Sequence, residues 1–371
     1  MLPYTLMINT IKKNIDNSLV IFMDRVKKDY RFQLVNPALY NSIREFSLRK
    51  GKRIRPLLLI LSYLGYCKNN KRISTSLYNA STCIEMLHIF MLIHDDIIDR
   101  SHLRRGKPAL HKLLSKTVKT LDPEKLGYDL GIIAGDIVYA LAIDAFLSIK
   151  ESPVRKEKAL KYFIQTAAFT AMGEFIDTVY GVEKLNKVKE KDVFLNYTLK
   201  TARYTFDCPL VVGAILSGAD DKDIARLSDL GILIGQAFQI QDDIIGIFGS
   251  QKNIGKSILS DLTESKKTLL VCHAYKKLRG QKRKLFMKYF NKSKKTYHDL
   301  LAVRKIFINA GSLKYSIQEI TIRVNKALNI LDKLKMKNKY RDIIKKAVLP
   351  LFKQSHQIVE QHHIDVQIAN L

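Results

Sequence analysis

Five aspartates in two apolar stretches are the residues whose types and spacing point most directly to chemistry. Asp95, Asp96 and Asp99 lie in LIHDDIIDRSHLRRGKP, and Asp242 and Asp243 lie in GQAFQIQDDIIGIFG. Residues three or four apart share one face of a helix, so Asp95, Asp96 and Asp99 converge at one helix end, whereas Asp242 and Asp243 form a second, adjacent pair in apolar sequence. Carboxylates crowded in this way repel one another, and they are tolerated in apolar surroundings only when a cation or solvent takes up the charge.

Such carboxylate clusters predict a magnesium site. Mg²⁺ prefers oxygen ligands, and proteins usually hold it by one or two carboxylates together with substrate phosphates. In helical bundles, metal sites are formed by side chains that project inward from facing helices. We therefore predict that the two clusters face each other and that a diphosphate supplies the remaining metal ligands.

Basic motifs accompany the acids and supply the positive charge that a diphosphate needs. They are KGKRIRP ahead of an apolar helix, RRG after the first cluster, LKTARYT, and GKSILSDLTESKKT. Lysine offers a point charge and arginine a planar fork of donors, and both suit phosphate oxygens. One basic run alone is typical of a solvated loop, so the interpretation depends on their combination with the acids.

The segments that must position these side chains are predicted to be helices. The chain has only 17 Gly and 8 Pro in 371 residues, and its apolar residues recur mostly at helical spacing. The predicted helices, each within a few residues at its ends, are 5–30, 37–49, 55–66, 74–99, 123–150, 153–180, 189–202, 205–217, 221–249, 262–278, 281–291, 296–309, 312–334 and 337–360. No linker or short repeat interrupts them, so we expect one domain over residues 1–371.

The charge balance is strongly basic, with 63 Lys plus Arg against 35 Asp plus Glu and a formal net charge of +28. The excess is greatest in YKKLRGQKRKLFMKYFNKSKK, residues 275–295, which fits a solvated surface or contact with an anionic membrane. A specific nucleic-acid partner is not expected, because it would leave the paired acids unexplained. Four scattered cysteines, no signal-peptide pattern and no uncharged apolar run of about 20 residues predict a cytoplasmic protein.

The order of the motifs resembles the trans-prenyl diphosphate synthase family. GKRxRP, HDDxxD, RRGxP, KTA, FQxxDD and GKxxxxDxxxxKKT follow one another between about residues 40 and 275, ahead of a basic C-terminal region at 276–371. The resemblance implies a single-domain, all-α bundle of the isoprenoid synthase type with a central apolar cavity. It also implies a homodimer that joins isopentenyl diphosphate to an allylic diphosphate, with roughly two or three Mg²⁺ ions per active site.

The resemblance further implies a role for each matching residue. The ligands of Mg²⁺ and the allylic diphosphate would be Asp95, Asp96, Asp99, Asp242 and Asp243. Direct contacts to the allylic diphosphate would come from Arg104, Lys200 and Lys256. The diphosphate of isopentenyl diphosphate would be held by Lys52, Arg55, His88 and Arg105. Thr201 and Gln239 would face the reacting carbons, and Asp261 and Lys266 would support the second cluster.

Three positions depart from the family pattern. Gly246 stands where many members carry a third Asp of the second motif, Lys50 replaces a common Gly, and Glu174 replaces a common Gln. The missing third Asp leaves the second cluster without its closing carboxylate.

Product length is predicted from the residues before the first acids. With a rise of about 1.5 Å per residue, Met91 lies about 6 Å and Leu87 about 12 Å below Asp95 along a helix. In the family, an aromatic residue five positions before the first Asp limits elongation, and Phe90 holds that position. Because Met91 is flexible where some farnesyl synthases have a second ring, we expect geranylgeranyl diphosphate.

The same motifs distinguish prenyl transfer from other functions. Within the family, the product could be farnesyl or a longer polyprenyl diphosphate. A terpene cyclase would usually carry a different metal motif in place of FQxxDD, and a non-catalytic partner subunit would have eroded acid clusters. Both acid pairs are intact in this sequence, so catalysis of prenyl transfer is preferred.

Overall fold

Helices make up nearly all the regular structure of the computed structural model, which describes residues 3–68, 74–249 and 260–362. The α-helices are Pro3–Asp29, Phe32–Val35, Pro37–Ser47, Ile54–Tyr66, Thr75–Ile98, Leu110–Leu114, Pro123–Leu147, Pro153–Val182, Glu190–Asn196, Cys208–Ser217, Asp221–Phe248, Ser260–Thr263, Leu269–Lys277, Gly280–Phe290, Tyr297–Asn309, Ser312–Asp332, Asn338–Val348 and Lys353–Gln361. The described residues also form two short 3₁₀ helices, Leu185–Lys187 and Leu349–Phe352, and one π-helix, Tyr197–Asp207. The predicted all-α fold is confirmed.

The predicted helices differ from the structure in three places. One helix, expected at 262–278, is broken between Thr263 and Leu269. The helices expected at 189–202 and 205–217 form one helical run, in which the π-helix Tyr197–Asp207 joins two α-helices. The helix expected at 337–360 is interrupted by a 3₁₀ turn that contains Pro350. Proline has no amide hydrogen to donate to the preceding turn, so a regular α-helix cannot continue through it.

The chain divides into two compact units. The first comprises Met1–Ile164, Pro209–Ile224 and Met336–Ile343, and the second comprises Gln165–Cys208, Ala225–Lys335 and Ile344–Leu371. The expectation that residues 1–371 form one domain with a central apolar cavity stays a prediction.

The first unit is built around the helix Thr75–Ile98, which we call the first-acid helix. Ser74 caps its start by accepting a hydrogen bond from the Leu77 amide, and almost every residue from Leu77 to Ile89 is buried. The helix packs against Pro123–Leu147, its principal neighbour. A Cβ atom at Gly135 would lie 2.2 Å from Cε1 of His94, so glycine is needed for this close approach.

The second unit contains most of the helix Asp221–Phe248, which we call the second-acid helix. Its core includes the fully buried rings of Phe206, Phe286 and Phe307. A Cβ atom at Gly235 would lie 2.3 Å from the Ala202 Cα, so this glycine allows the second-acid helix to approach the π-helix closely. The C-terminal segment is tied to the same helix, because Gln241 Nε2 donates to the Leu351 carbonyl.

Within the described ranges, two helices have the length and composition of a membrane-crossing segment, Thr75–Ile98 and Pro123–Leu147. The most apolar window of the first is 67% buried within the protein, whereas that of the second is only 44% buried. The second helix carries Asp129, Asp136 and Asp144 along its length. Apolar composition in the first helix is therefore explained by core packing, and the second helix leaves apolar side chains at the surface.

Candidate active site

The first acid cluster forms at the C-terminal end of the first-acid helix. Asp95 and Asp96 lie in its last turn, and Asp99 is its C-cap, with the Asp99 amide donating to the Asp95 carbonyl at 2.9 Å. Asp96 is fully buried, and the side chain of Asp95 is about one-quarter exposed at 26%. Burial raises the pKa of Asp96 to about 6, although the neighbouring arginine opposes the shift.

A short hairpin brings Arg104 onto these acids. Leu103–Arg104 pairs with Lys107–Pro108, and the turn residues Arg105 and Gly106 both have positive φ, as a tight two-residue hairpin turn requires. The Arg104 guanidinium donates to Asp95 Oδ2 at 2.9 Å and to Asp96 Oδ1 at 2.8 Å. Burial alone would lower the pKa of Arg104, but the two carboxylates outweigh it and raise the pKa above its usual value.

His88 lies among arginines in the same unit. Its imidazole is buried, and burial together with the positive charges of Arg55, Arg105 and Arg104 holds its pKa well below the usual value. The ring is therefore neutral at physiological pH. A neutral imidazole surrounded by guanidinium groups favours an anion at this position, because the local potential is positive.

The KGKRIRP loop is locked in place by arginines that the sequence analysis did not single out for a role. Arg53 has a left-handed backbone (φ 48°), and its buried side chain binds Asp16 at 2.7 Å and Glu85. Arg49 donates to the Arg104 carbonyl at 3.0 Å and to the Pro108 carbonyl at 2.8 Å. These contacts join the loop to the helices and to the hairpin, and so they fix the backbone on either side of Lys52.

Arg105 lies directly over this loop. Its Nη1 donates to the Arg49 carbonyl at 2.9 Å, and a Cβ atom at Gly51 would lie 3.0 Å from Nη2. Glycine at position 51 therefore leaves room for the guanidinium. Lys52 is exposed in the loop and Arg55 is half-buried at the start of the next helix. The charges of Arg55 and Arg105 are close enough to influence each other, and the binding of isopentenyl diphosphate by these residues stays a prediction.

The residues predicted to limit product length occupy different environments on the first-acid helix. Leu87 is buried, whereas Phe90 and Met91 are half-buried. The ring of Phe90 packs against Tyr139, with centroids 4.9 Å apart, and edge-on to His94 at 4.8 Å. Phe90 thus has a fixed orientation without being enclosed in the core.

In the second unit, the π-helix presents Lys200 to two acids. Lys200 Nζ lies 2.7 Å from Asp177 Oδ2 and 3.0 Å from Glu174 Oε2. Asn196 Nδ2 also donates to Asp177, at 2.8 Å. Burial opposes ionisation of Asp177, but Lys200 and its neighbours outweigh it and lower the pKa of this carboxyl. A Cβ atom at Gly173 would lie 2.3 Å from the Lys200 amide nitrogen, which explains glycine there.

A hydrogen-bonded chain orients the second acid cluster. Thr201 donates to the Gln239 side-chain oxygen, and Gln239 Nε2 donates to Asp243 Oδ1 at 2.9 Å. Tyr197 donates its hydroxyl proton to the other carboxylate oxygen of Asp243 and accepts a bond from the Leu269 amide at 2.9 Å. Asp243 is therefore buried and held at both oxygens, and its neighbour Asp242 is exposed.

The structure gives fewer contacts for the three other predicted residues of this region, Lys256, Asp261 and Lys266. Lys266 pairs with Glu264 at 2.9 Å. Lys256 and the side chain of Asp261 lie outside the described part of the chain. Lys200 and Thr201 both lie in the π-helix Tyr197–Asp207, and wide helical turns of this kind are frequent at functional sites. The facing arrangement of the two acid clusters stays a prediction.

The residues of the first cluster suit a hard divalent cation. All three side chains offer carboxylate oxygens, which are the ligands that Mg²⁺ prefers. The Asp96 Oδ2 atom is buried and has no hydrogen-bond partner among the described residues. A buried carboxylate oxygen left in this state normally has a cation or water as its partner, so the donor set fits the predicted metal.

Comparison with known proteins identifies the family to which this chain belongs. A family model described as polyprenyl synthetase matches residues 36–307. The chain belongs to the polyprenyl synthetase family, and it is a prenyltransferase. The resemblance drawn from the motifs is therefore confirmed.

Individual relatives match between 76% and 93% of this chain. The geranylgeranyl diphosphate synthase of Sulfolobus acidocaldarius is 30% identical over 327 residues, 88% of this chain and 93% of the relative. The geranylfarnesyl diphosphate synthase of Aeropyrum pernix is 31% identical, over 76% of this chain and 84% of its own. A crystal structure of geranylgeranyl pyrophosphate synthase from Corynebacterium glutamicum, complexed with isoprenyl diphosphate and magnesium, shares the fold with a TM-score of 0.82 at 24% identity, over 93% of this chain and 98% of its own.

Proposed function

We propose that the protein condenses isopentenyl diphosphate with an allylic diphosphate and releases geranylgeranyl diphosphate as its main product. The observation that carries this proposal is the pairing of two diphosphate-binding chemistries in the first unit. One is the carboxylate cluster at Asp95, Asp96 and Asp99, and the other is the cluster of arginines around neutral His88. A carboxylate cluster binds a diphosphate through metal ions, whereas arginines bind it directly.

Each group of residues has a separate proposed role in the reaction. Magnesium, bound by the acid clusters, would stabilise the negative charge that develops on the departing allylic diphosphate. Arg104 and Lys200 would add positive charge to the same group. Arg55 and Arg105 would hold isopentenyl diphosphate so that its double bond attacks the allylic carbocation. Apolar walls would exclude water from the cation, and the released diphosphate would accept the proton lost after condensation.

The product assignment is supported by the environment of Phe90 and by the relatives' names. A product with a geranylfarnesyl chain is the runner-up, because the Aeropyrum pernix relative carries that name at similar identity. The deciding experiment is incubation of the purified protein with Mg²⁺, isopentenyl diphosphate and, in turn, dimethylallyl, geranyl or farnesyl diphosphate. Geranylgeranyl diphosphate from all three primers is the expected result. Cyclised hydrocarbon, or no product with any primer, would instead favour a terpene cyclase or a non-catalytic subunit.

Replacement of Phe90 by alanine is expected to lengthen the main product by at least one isoprene unit. The ring is held between Tyr139 and His94, and its removal deepens the space below the acids by several ångströms. Chromatography of the dephosphorylated products measures the change. Ile133→Ala, an exposed apolar position on the neighbouring helix Pro123–Leu147, is the matched control. An unchanged product distribution in Phe90→Ala would place the chain-length limit elsewhere.

The protein is also expected to be a homodimer. Helix Pro153–Val182 carries an apolar stripe at helical spacing that the other described residues leave exposed, made of Met172, Phe175, Val179 and Val182, and a stripe of this kind is suited to a second copy of the chain. Light scattering should give twice the 42.6 kDa mass of the chain, and Phe175→Glu should shift the protein toward monomer. A monomeric wild type at micromolar concentration would contradict this.

A cytoplasmic location stays a prediction.

A further inference from the structure

A strongly basic surface lies on the second unit. Between Ser265 and Gln318 the sequence has one acidic residue, Asp299, and this carboxylate is already bound by Lys292 at 2.7 Å and by its N-cap Thr296. We use the term basic surface for six exposed lysines on the helices Leu269–Lys277 and Gly280–Phe290 and the turn that follows. They are Lys276, Lys277, Lys282, Lys284, Lys288 and Lys294.

These six lysines differ from the other basic residues of the segment. Arg283 donates to the Leu278 carbonyl at 2.9 Å and lies over the Tyr275 ring, and Lys295 is buried and donates to Ser265. Those two side chains stabilise the fold. No carboxylate pairs with any of the six lysines within residues 3–68, 74–249 and 260–362, so their positive charge is directed to solvent.

The helix Gly280–Phe290 exposes an apolar side chain between lysines of the basic surface. Phe286 and Phe290 are buried on one face of the helix, while Lys284, Leu285 and Lys288 share the exposed face. The Leu285 side chain is 47% exposed. A helix whose exposed face combines lysines with a large apolar side chain is typical of proteins that lie on a bilayer surface.

We propose that the basic surface docks on an anionic phospholipid bilayer, with Leu285 entering the headgroup region. Lysine is a point charge on a long flexible stem, which suits a diffuse negative potential. A nucleic-acid surface would favour arginine, but the three arginines between Ser265 and Gln318 are engaged within the fold. Arg279 donates to the Leu278 carbonyl at 3.0 Å, Arg283 packs on Tyr275, and Arg304 donates to the Gly249 carbonyl at 3.1 Å. The six lysines belong to none of the proposed substrate-binding positions, so the docking is independent of the reaction and of its product.

The test is flotation of the full-length protein with two kinds of vesicle, phosphatidylcholine alone and phosphatidylcholine with about one-third phosphatidylglycerol. The wild type should bind only the anionic vesicles. The triple variant K282Q/K284Q/K288Q should bind them about 100-fold more weakly, because each lysine near an anionic surface contributes a several-fold gain. The matched control is K116Q/K119Q/K161Q, which removes the same charge from exposed lysines of the first unit and should bind within a few-fold of wild type.

Two further measurements keep the outcome unambiguous. Leu285→Ser should weaken vesicle binding several-fold without changing the charge, and prenyl transfer with dissolved substrates should be the same in all variants. The proposal is overturned if the wild type does not bind anionic vesicles, if both triple variants lose binding equally, or if Leu285→Ser binds like wild type. It is also overturned if a polyuridine oligonucleotide, and not the vesicles, is bound through the six lysines.

Discussion

Replacement of Asp95 or of Asp242 by alanine is expected to lower turnover by roughly three orders of magnitude, because each change removes carboxylate ligands worth several kcal/mol to the transition state. Asp95 lies beside fully buried Asp96 at the end of the first-acid helix, and Asp242 is exposed next to the tightly held Asp243. Neither side chain fills a core position. Helicity should therefore be unchanged while the rate of condensation at saturating substrate falls.

Matched controls for this result exist on neighbouring helix surfaces. Asp229→Ala changes an exposed aspartate on the second-acid helix itself, and Asp129→Ala changes one on the helix that packs against the first-acid helix. Both controls should retain wild-type turnover. Near wild-type turnover in Asp95→Ala or Asp242→Ala would reject a reaction that depends on both acid clusters.

Replacement of Arg55 by alanine is expected to raise the KM for isopentenyl diphosphate by about 10- to 100-fold, the loss that follows from removing one or two charge-assisted hydrogen bonds. Arg55 is half-buried and its charge contributes to the low pKa of His88, so it belongs to the anion-binding cluster around that ring. The KM for the allylic diphosphate should change little. Steady-state kinetics with each substrate varied in turn measure the two constants separately, and Lys52→Ala should act in the same direction but more weakly because Lys52 is exposed.

Lys200→Ala is the complementary control for the Arg55 variant, because it should affect the KM of the other substrate. Lys200 lies in the second unit between Asp177 and Glu174, and it is assigned to the allylic diphosphate. Its replacement should raise the allylic KM and leave the KM for isopentenyl diphosphate nearly unchanged. A larger allylic defect than isopentenyl defect in Arg55→Ala would mean that the two diphosphate sites have been exchanged.

Helical periodicity explains how much of this site was predictable. The spacing of Asp95, Asp96 and Asp99 was enough to place them at one helix end, because helical faces depend only on positions close in sequence. The same spacing puts Gln239 one turn before Asp243, and in the structure the two side chains share a hydrogen bond at 2.9 Å. Motif order then supplied the family, which no single run could have indicated.

The partners of these residues depend on packing between distant segments, and the sequence did not indicate them. Arg53 reaches Asp16, 37 residues earlier, and Tyr197 reaches Asp243, 46 residues later. Such contacts follow from how helices cross, which one periodic pattern does not specify. Two signals were nevertheless present: Glu85 is an acid in an apolar run one turn before His88, and Asp177 lies in GEFIDT, a stretch that resembles a family segment.

The central claim is that acid clusters carrying magnesium release diphosphate from an allylic substrate so that isopentenyl diphosphate can add to it. The most direct measurement is inorganic diphosphate release during incubation of the purified protein with farnesyl and isopentenyl diphosphates, with Mg²⁺ or with a chelator. The expected result is one diphosphate released for each geranylgeranyl diphosphate formed with Mg²⁺, and neither product with the chelator. Condensation at equal rate in the chelator, or diphosphate release with Mg²⁺ but without any longer prenyl product, would contradict the claim.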